Sequence, residues 1–228
     1  MRNRSENQIT LVLIRHGATK ANKEHRYLGQ TEEELSQEGK KELAEYKNNH
    51  KYPLVDFLFT SPMKRCIQTA EILYPHLKPV EIAEWTEMDF GAFEGKNYED
   101  LKDDKDYQAW IDSGGTLPFP GGESREKFIL RCEKGFQKLR KELRELKELH
   151  TVEELNKVKM YGREEMPENE EKKRKTVGMV VHGGTIMALL SRYCGGDYFD
   201  YQVPNGEGYI CTVKEENGIV EFLELTKL

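Results

Sequence analysis

Three short apolar runs in this chain each stop at a cationic or phosphate-binding side chain and then give way to a helix. Leu11-Val12-Leu13-Ile14 runs into Arg15-His16-Gly17, residues 55–59 run into Thr60-Ser61-Pro62 with Arg65 one turn later, and residues 177–181 run into His182-Gly183-Gly184. Continuous apolar runs of this length read as strands buried on both faces of a parallel sheet. In an open α/β sheet, ligands sit at the carboxyl ends of the strands. As parallel neighbours, these strands bring Arg15, His16, Arg65 and His182 to one rim. Two imidazoles and two guanidiniums in one pocket suit a phosphate ester.

The remaining pattern fits such a sheet. Ser36 is placed to cap a helix over residues 38–46, and Pro62 stands near the start of one over residues 63–74. Pro75 and Pro79 punctuate the way to a short strand at 80–83, residues 98–110 read as helical, and 113–122 form a loop rich in glycine and proline. From Ser124, the positions Phe128, Cys132, Phe136, Leu139, Leu143, Leu146 and Leu149 recur at threes and fours, the mark of a long amphipathic helix. A second helix is expected over residues 185–192. The stretches 209–214 and 219–225 flank Asn217-Gly218, a strong hairpin signal. The expected architecture is a three-layer α/β/α sandwich around a mostly parallel sheet with a C-terminal antiparallel hairpin.

With 228 residues the chain fits a single domain, 1–228, carrying a charged surface insertion at about 150–175 where Glu and Lys dominate. That segment is expected to be partly helical and mobile near 167–174. Its basic run Lys172-Lys173-Arg174-Lys175 lies beside Glu168, Glu170 and Glu171 and reads as a solvated linker. A formal net charge of −6 argues against a general nucleic-acid binder, yet a local cationic pocket can sit on an acidic protein. Cys66, Cys132, Cys194 and Cys211 are widely spaced, as expected of reduced, buried thiols. Residues 1–8 are polar with no signal core, and no stretch approaches a membrane span, so a cytoplasmic location is expected. No clustered carboxylates or thiolates suggest a metal, and none is expected, nor any other cofactor.

The segment Leu13-Ile14-Arg15-His16-Gly17-Ala18-Thr19 with Asn22 resembles the Arg-His-Gly signature of the histidine phosphatase superfamily, the phosphoglycerate mutase-like proteins. The resemblance extends in order through Arg26-Tyr27-Leu28-Gly29, Leu35-Ser36-Gln37-Glu38-Gly39 and the stretch from Thr60-Ser61-Pro62 to Thr69-Ala70. It continues through Glu87-Met88-Asp89-Phe90-Gly91, Pro120-Gly121-Gly122-Glu123-Ser124 and Val180-Val181-His182-Gly183-Gly184. It is nearest the α-ribazole phosphatase and broad-specificity branch. It implies that His16 is the nucleophile and forms a phosphohistidine, that Arg15, Arg65 and His182 hold the phosphoryl oxygens, and that Glu87 is the general acid. Asn22, Thr19 and Gly183 complete the implied substrate-binding set, although N-capping accounts for Thr19 equally well. Leu28, Gly183 and Phe93 depart from the residues common in the family at those places.

The chemistry agrees. An imidazole with a reference pKa near about 6.5 is substantially neutral at neutral pH and needs little activation to attack phosphorus. Arginine pairs well with phosphoryl oxygens through charge-assisted, often bidentate bonds. A carboxylic acid can protonate a departing alkoxide, with Glu84 the competitor to Glu87. His25, His50, His76 and His150 lack comparable settings. The expected function is metal-independent hydrolysis of a small phosphate monoester, α-ribazole 5'-phosphate among the candidates. A phosphoglycerate-type mutase and a non-catalytic phosphate-ligand binder are the alternatives. The expected partner is the small-molecule ester, with no nucleic acid or membrane and with the oligomeric state open.

Overall fold

The computed structural model describes residues 8–161 and 174–228. Its strands are β1 (Gln8–Arg15), β2 (Phe57–Thr60), β3 (Val80–Glu81), β4 (Lys175–Val181), β5 (Gly208–Glu216) and β6 (Ile219–Lys227). They form one six-stranded sheet in the order β3-β2-β4-β1-β5-β6. The first four are mutually parallel where they pair, while β5 runs antiparallel to β1 and to β6. The β5–β6 turn uses Asn217 and Gly218 at φ 52° and 82°, the left-handed pair that a tight hairpin demands.

The period-two alternation of strand side chains divides the core between the two faces of the sheet. Val12, Ile14, Leu58 and Val180 pack with Leu43, Cys66 and Ala70, which come from α2 (Gln37–Asn48) and α3 (Lys64–Leu73). Leu11, Leu13, Phe59 and Met179 pack instead with residues of two later helices, among them Phe128, Phe136 and Leu189. These helices are labelled in chain order after the short α1 (Lys20–Lys23), α4 (Tyr98–Leu101) and α5 (Lys105–Asp112): α6 is Arg125–Tyr161 and α7 is Gly183–Cys194. The result is the expected three-layer sandwich. Among the described residues no helix is long and apolar enough to cross a membrane.

Several boundaries differ from the sequence reading, each for a local reason. The second strand begins at Phe57 because Asp56 turns its carboxylate onto the Thr176 amide at 2.7 Å. Residues 98–110 are two helices, since Asp104 caps a new one by accepting from the amides of Asp106 and Tyr107. The third strand is only Val80–Glu81, and the chain then tightens into a 3-10 turn over Ala83–Trp85. Helix α6 continues well past Leu149, to Tyr161, so the charged segment opens as a direct extension of the amphipathic helix. The expected mobility near 167–174 falls almost wholly on residues 162–173, which lie outside the described residues. Cys66, Cys132 and Cys211 are buried free thiols as expected, but Cys194, at the end of α7, is exposed.

Candidate active site

The parallel order of β2, β4 and β1 places the ends of the three apolar runs side by side. His16 directly follows β1, and its amide donates to the Val181 carbonyl at 2.9 Å, tying it to the end of β4. Its ring Nδ1 lies 2.7 Å from the Gly17 carbonyl. A carbonyl can only accept, so Nδ1 carries the proton and Nε2 presents its lone pair. Asn205 fixes this turn by donating to the His16 carbonyl at 3.0 Å and to Asn22 Oδ1 at 3.1 Å. Gly17 is required for packing, since a Cβ there would stand 2.6 Å from Leu43 Cδ1.

Arg65, on the first turn of α3, is fully buried. Its Nη2 donates to the Gly29 carbonyl at 2.6 Å and its Nη1 to the Thr31 carbonyl at 3.0 Å. Those carbonyls are themselves held, because Glu94 accepts from the amides of Gly29 and Thr31 at 2.8 and 3.1 Å. Arg15 donates Nη1 to the Val203 carbonyl at 2.7 Å, while its buried Nε has no acceptor among the described residues. Neither arginine forms an ion pair among the described residues. A buried and a half-buried guanidinium, each held by backbone carbonyls and without a carboxylate salt bridge among the described residues, present positive charge that an anion would relieve.

His182 lies across from His16, with ring centroids 5.2 Å apart and planes 69° to each other. Its Nδ1 faces Arg65 Nε at 3.4 Å, and its Nε2 lies 2.8 Å from Ser61 Oγ. Arginine can only donate, so Nε2 carries the proton toward Ser61. Its hydrogen bond thus goes to the serine, and phosphate donation from this nitrogen would require leaving it. Thr19 caps α1 by accepting from the Asn22 amide at 3.2 Å, which is the N-cap alternative of the sequence reading. Asn22 Oδ1 accepts from Thr19 and Asn205, so its NH₂ is the part able to meet a ligand oxygen. Gly183 opens α7 beside Arg15, where a Cβ would stand 3.3 Å from Nε.

Glu87 is buried at the same rim, its Oε2 at 3.4 Å from the Gly184 amide and its Oε1 accepting from the Met88 amide at 2.9 Å. Gly184 admits it, as a Cβ there would lie 2.4 Å from Oε1. Arg131 of α6 clasps the loop from outside, donating to the carbonyls of Glu84, Thr86 and Glu87 and bidentately to the Glu123 carboxylate. Glu84 instead turns outward to an ion pair with Lys138. The other described histidines, His25, His50 and His76, are exposed. No group of three or more potential metal ligands occurs among the described residues.

The family model for the histidine phosphatase superfamily (branch 1) matches residues 11–152, more than half of the chain. The chain belongs to this superfamily. Among its relatives, the uncharacterized phosphatase PhoE of Bacillus subtilis (strain 168) is 29% identical over 189 residues, spanning 82% of this chain and 78% of that protein. A 2,3-bisphosphoglycerate-dependent phosphoglycerate mutase of Buchnera aphidicola subsp. Cinara cedri (strain Cc) is 28% identical, spanning 94% of this chain and 98% of its own. The crystal structure of the alpha-ribazole phosphatase from Shigella flexneri shares the fold at a TM-score of 0.65 and 20% identity, over 95% of this chain and 96% of that one. By class, then, the protein is a phosphatase of the histidine type.

In this histidine phosphatase the electrostatics follow from burial. His16 and His182 are held well below the ordinary imidazole value, first by desolvation and then by the nearby Arg65 and Arg15. Burial also raises Glu87 above the usual carboxylate range, against the opposing pull of two backbone amides and both arginines. The folded state therefore keeps both imidazoles neutral where the unfolded chain would protonate them. Stability should fall as pH drops below 6.5, the imidazole reference value. Glu87 acts in the opposite sense, but it is one group against two. We expect the melting temperature to decline between about pH 7 and about pH 5.5, and His16→Asn to flatten that decline. A flat wild-type profile would show that the imidazoles protonate as freely in the folded protein as in the unfolded one.

Proposed function

We propose that this enzyme hydrolyses small phosphate monoesters through a phosphohistidine on His16. The observation that carries the reading is the tautomer imposed by the Gly17 carbonyl, which leaves His16 Nε2 unprotonated near the Arg15 and Arg65 guanidiniums, neither of which is in a salt bridge among the described residues. In the first step Nε2 attacks phosphorus, the N–P bond forms and the ester P–O bond breaks. Glu87, whose burial favours its protonated form, passes its proton to the departing alcohol oxygen. Arg15 and Arg65 bind the equatorial oxygens and carry the redistributed charge. Asn22 and the Gly183 amide, at the start of α7, add neutral donors on the same side. His182 orients Arg65 by accepting from its Nε while its own N–H is held by Ser61. In the second step water attacks phosphorus, the N–P bond breaks and the water proton goes to the Glu87 carboxylate.

The sequence resemblance to the α-ribazole phosphatase branch makes α-ribazole 5'-phosphate one ester to assay among others. The mutase relative motivates the direct comparison. Incubated with a panel of phosphorylated metabolites, the protein should release inorganic phosphate, and with phosphoglycerate it should release phosphate faster than it isomerises the substrate. Efficient isomerisation with little phosphate release would assign it to the mutases.

A further inference from the structure

Next to Glu87 the molecule carries a cavity that hydrolysis of a generic phosphate ester does not call for. It measures about 110 Å³ and is lined by Glu87 and Gly184 at one side and by aromatic rings elsewhere, Tyr27, Phe90, Trp110 and Phe119 among them. The rings support one another edge-on: Tyr27 to Phe90 and Phe90 to Phe119 are 5.2 and 5.0 Å apart. An apolar cavity of roughly 150 Å³ can hold a benzene ring, so this one suits a single ring-sized group. Because Glu87 lines the wall, the cavity lies where the alcohol half of an ester would point.

Two polar features interrupt the apolar wall. Arg125 is half-buried, its guanidinium 5.5 Å from the Tyr198 ring centroid and 5.8 Å from that of Phe199. It has no hydrogen-bonded or ionic partner among the described residues. It also stands at the first position of α6, where the helix dipole disfavours a cation, so its place there is not explained by helix stability. The indole N–H of Trp110 is likewise buried with no acceptor among the described residues. Arg125 and Trp110 both line this cavity, and a guanidinium without an anionic partner at an otherwise apolar wall suits an anionic group on a ring-bearing ligand.

We infer that the preferred substrates are phosphate esters of an alcohol bearing one ring-sized apolar group and a carboxylate. The ring packs among Tyr27, Phe90 and Phe119, while the carboxylate pairs with Arg125 and lies within reach of the Trp110 N–H. This rests on the hydrolytic reading above and names the substrate class of that site.

The test compares ethyl phosphate, benzyl phosphate and 4-carboxybenzyl phosphate by kcat/KM. Wild type should favour benzyl over ethyl, and 4-carboxybenzyl over benzyl by about tenfold or more, the usual worth of a hydrogen-bonded charge. In Arg125→Gln the carboxybenzyl-to-benzyl ratio should collapse to within about twofold, and Arg125→Lys should restore part of it. Trp110→Phe should reduce the same ratio more modestly, keeping the ring and removing the donor. Equal rates on all three esters would overturn the inference while leaving the hydrolytic reading intact. Preserved discrimination in Arg125→Gln would also overturn it, and phosphate release from none of the esters would instead overturn the underlying reading.

Discussion

Replacing His16 with alanine should abolish the phosphoenzyme and lower phosphate release by roughly 10⁴–10⁶-fold, the scale on which removing a nucleophile acts. The argument separates His16 from its neighbour across the rim. His16 Nδ1 is committed to a carbonyl, leaving Nε2 free, whereas His182 has both nitrogens engaged, by Arg65 and by Ser61. Rapid alkaline quench with labelled ester should trap an adduct on the wild type that is stable in base and labile in acid. His16→Ala should give none, and His182→Ala should still label, only more slowly. The fold should survive in His16→Ala, because Asn205 and the Val181 carbonyl hold the turn through its backbone. An adduct that persists without His16 would move the nucleophile elsewhere.

Glu87→Gln should discriminate between esters. A general acid matters in proportion to the basicity of the oxygen it protonates, so an alkyl phosphate should slow by roughly 10²–10⁴-fold. A nitrophenyl ester, whose leaving group departs as a stable anion, should lose far less in the phosphorylation step. Glutamine keeps the shape and its single oxygen can still accept from the Met88 amide, so the contrast between the two esters reads proton donation and not packing. Glu84→Gln should leave both esters alone, since its carboxylate pairs with Lys138. Equal losses on the two esters in Glu87→Gln would assign the proton to another donor.

The parts of this site that were legible in the sequence are those whose signal is local. Arg15, His16 and His182 directly follow a mainly apolar run and Arg65 stands one helical turn beyond another, and such runs in a parallel sheet fix where their ends must lie. Glu87 was legible through the resemblance of its loop. What supports these residues was not. Asn205 and the Val203 carbonyl sit in a turn with no motif, and they reach the site only because β5 pairs with β1. Arg131 lies among the polar positions of the amphipathic helix and no motif marks it, although it anchors the acid-bearing loop. The break between α4 and α5 rests on a single cap at Asp104, too short a cue to outweigh the helical pattern around it. Ser61 stood inside a quoted motif, but its bond to His182 depends on the packing of β2 beside β4.

The central position of β1 bears on how the enzyme is made. Its two neighbours are β4 and β5, which begin at residues 175 and 208, so β1 is synthesised long before either strand it pairs with. Non-local pairing of this kind must meet its loop-closure cost before any contact rewards it. Until then the nascent chain carries a largely apolar strand with both edges open, a template for pairing with other chains. A product truncated ahead of β4 would retain the Arg-His-Gly segment yet have no rim on which to place it. Translation order thus puts assembly of the pocket after the synthesis of β4 and β5, and makes chains that stop short of them a target for holdases and proteases before any could turn over an ester.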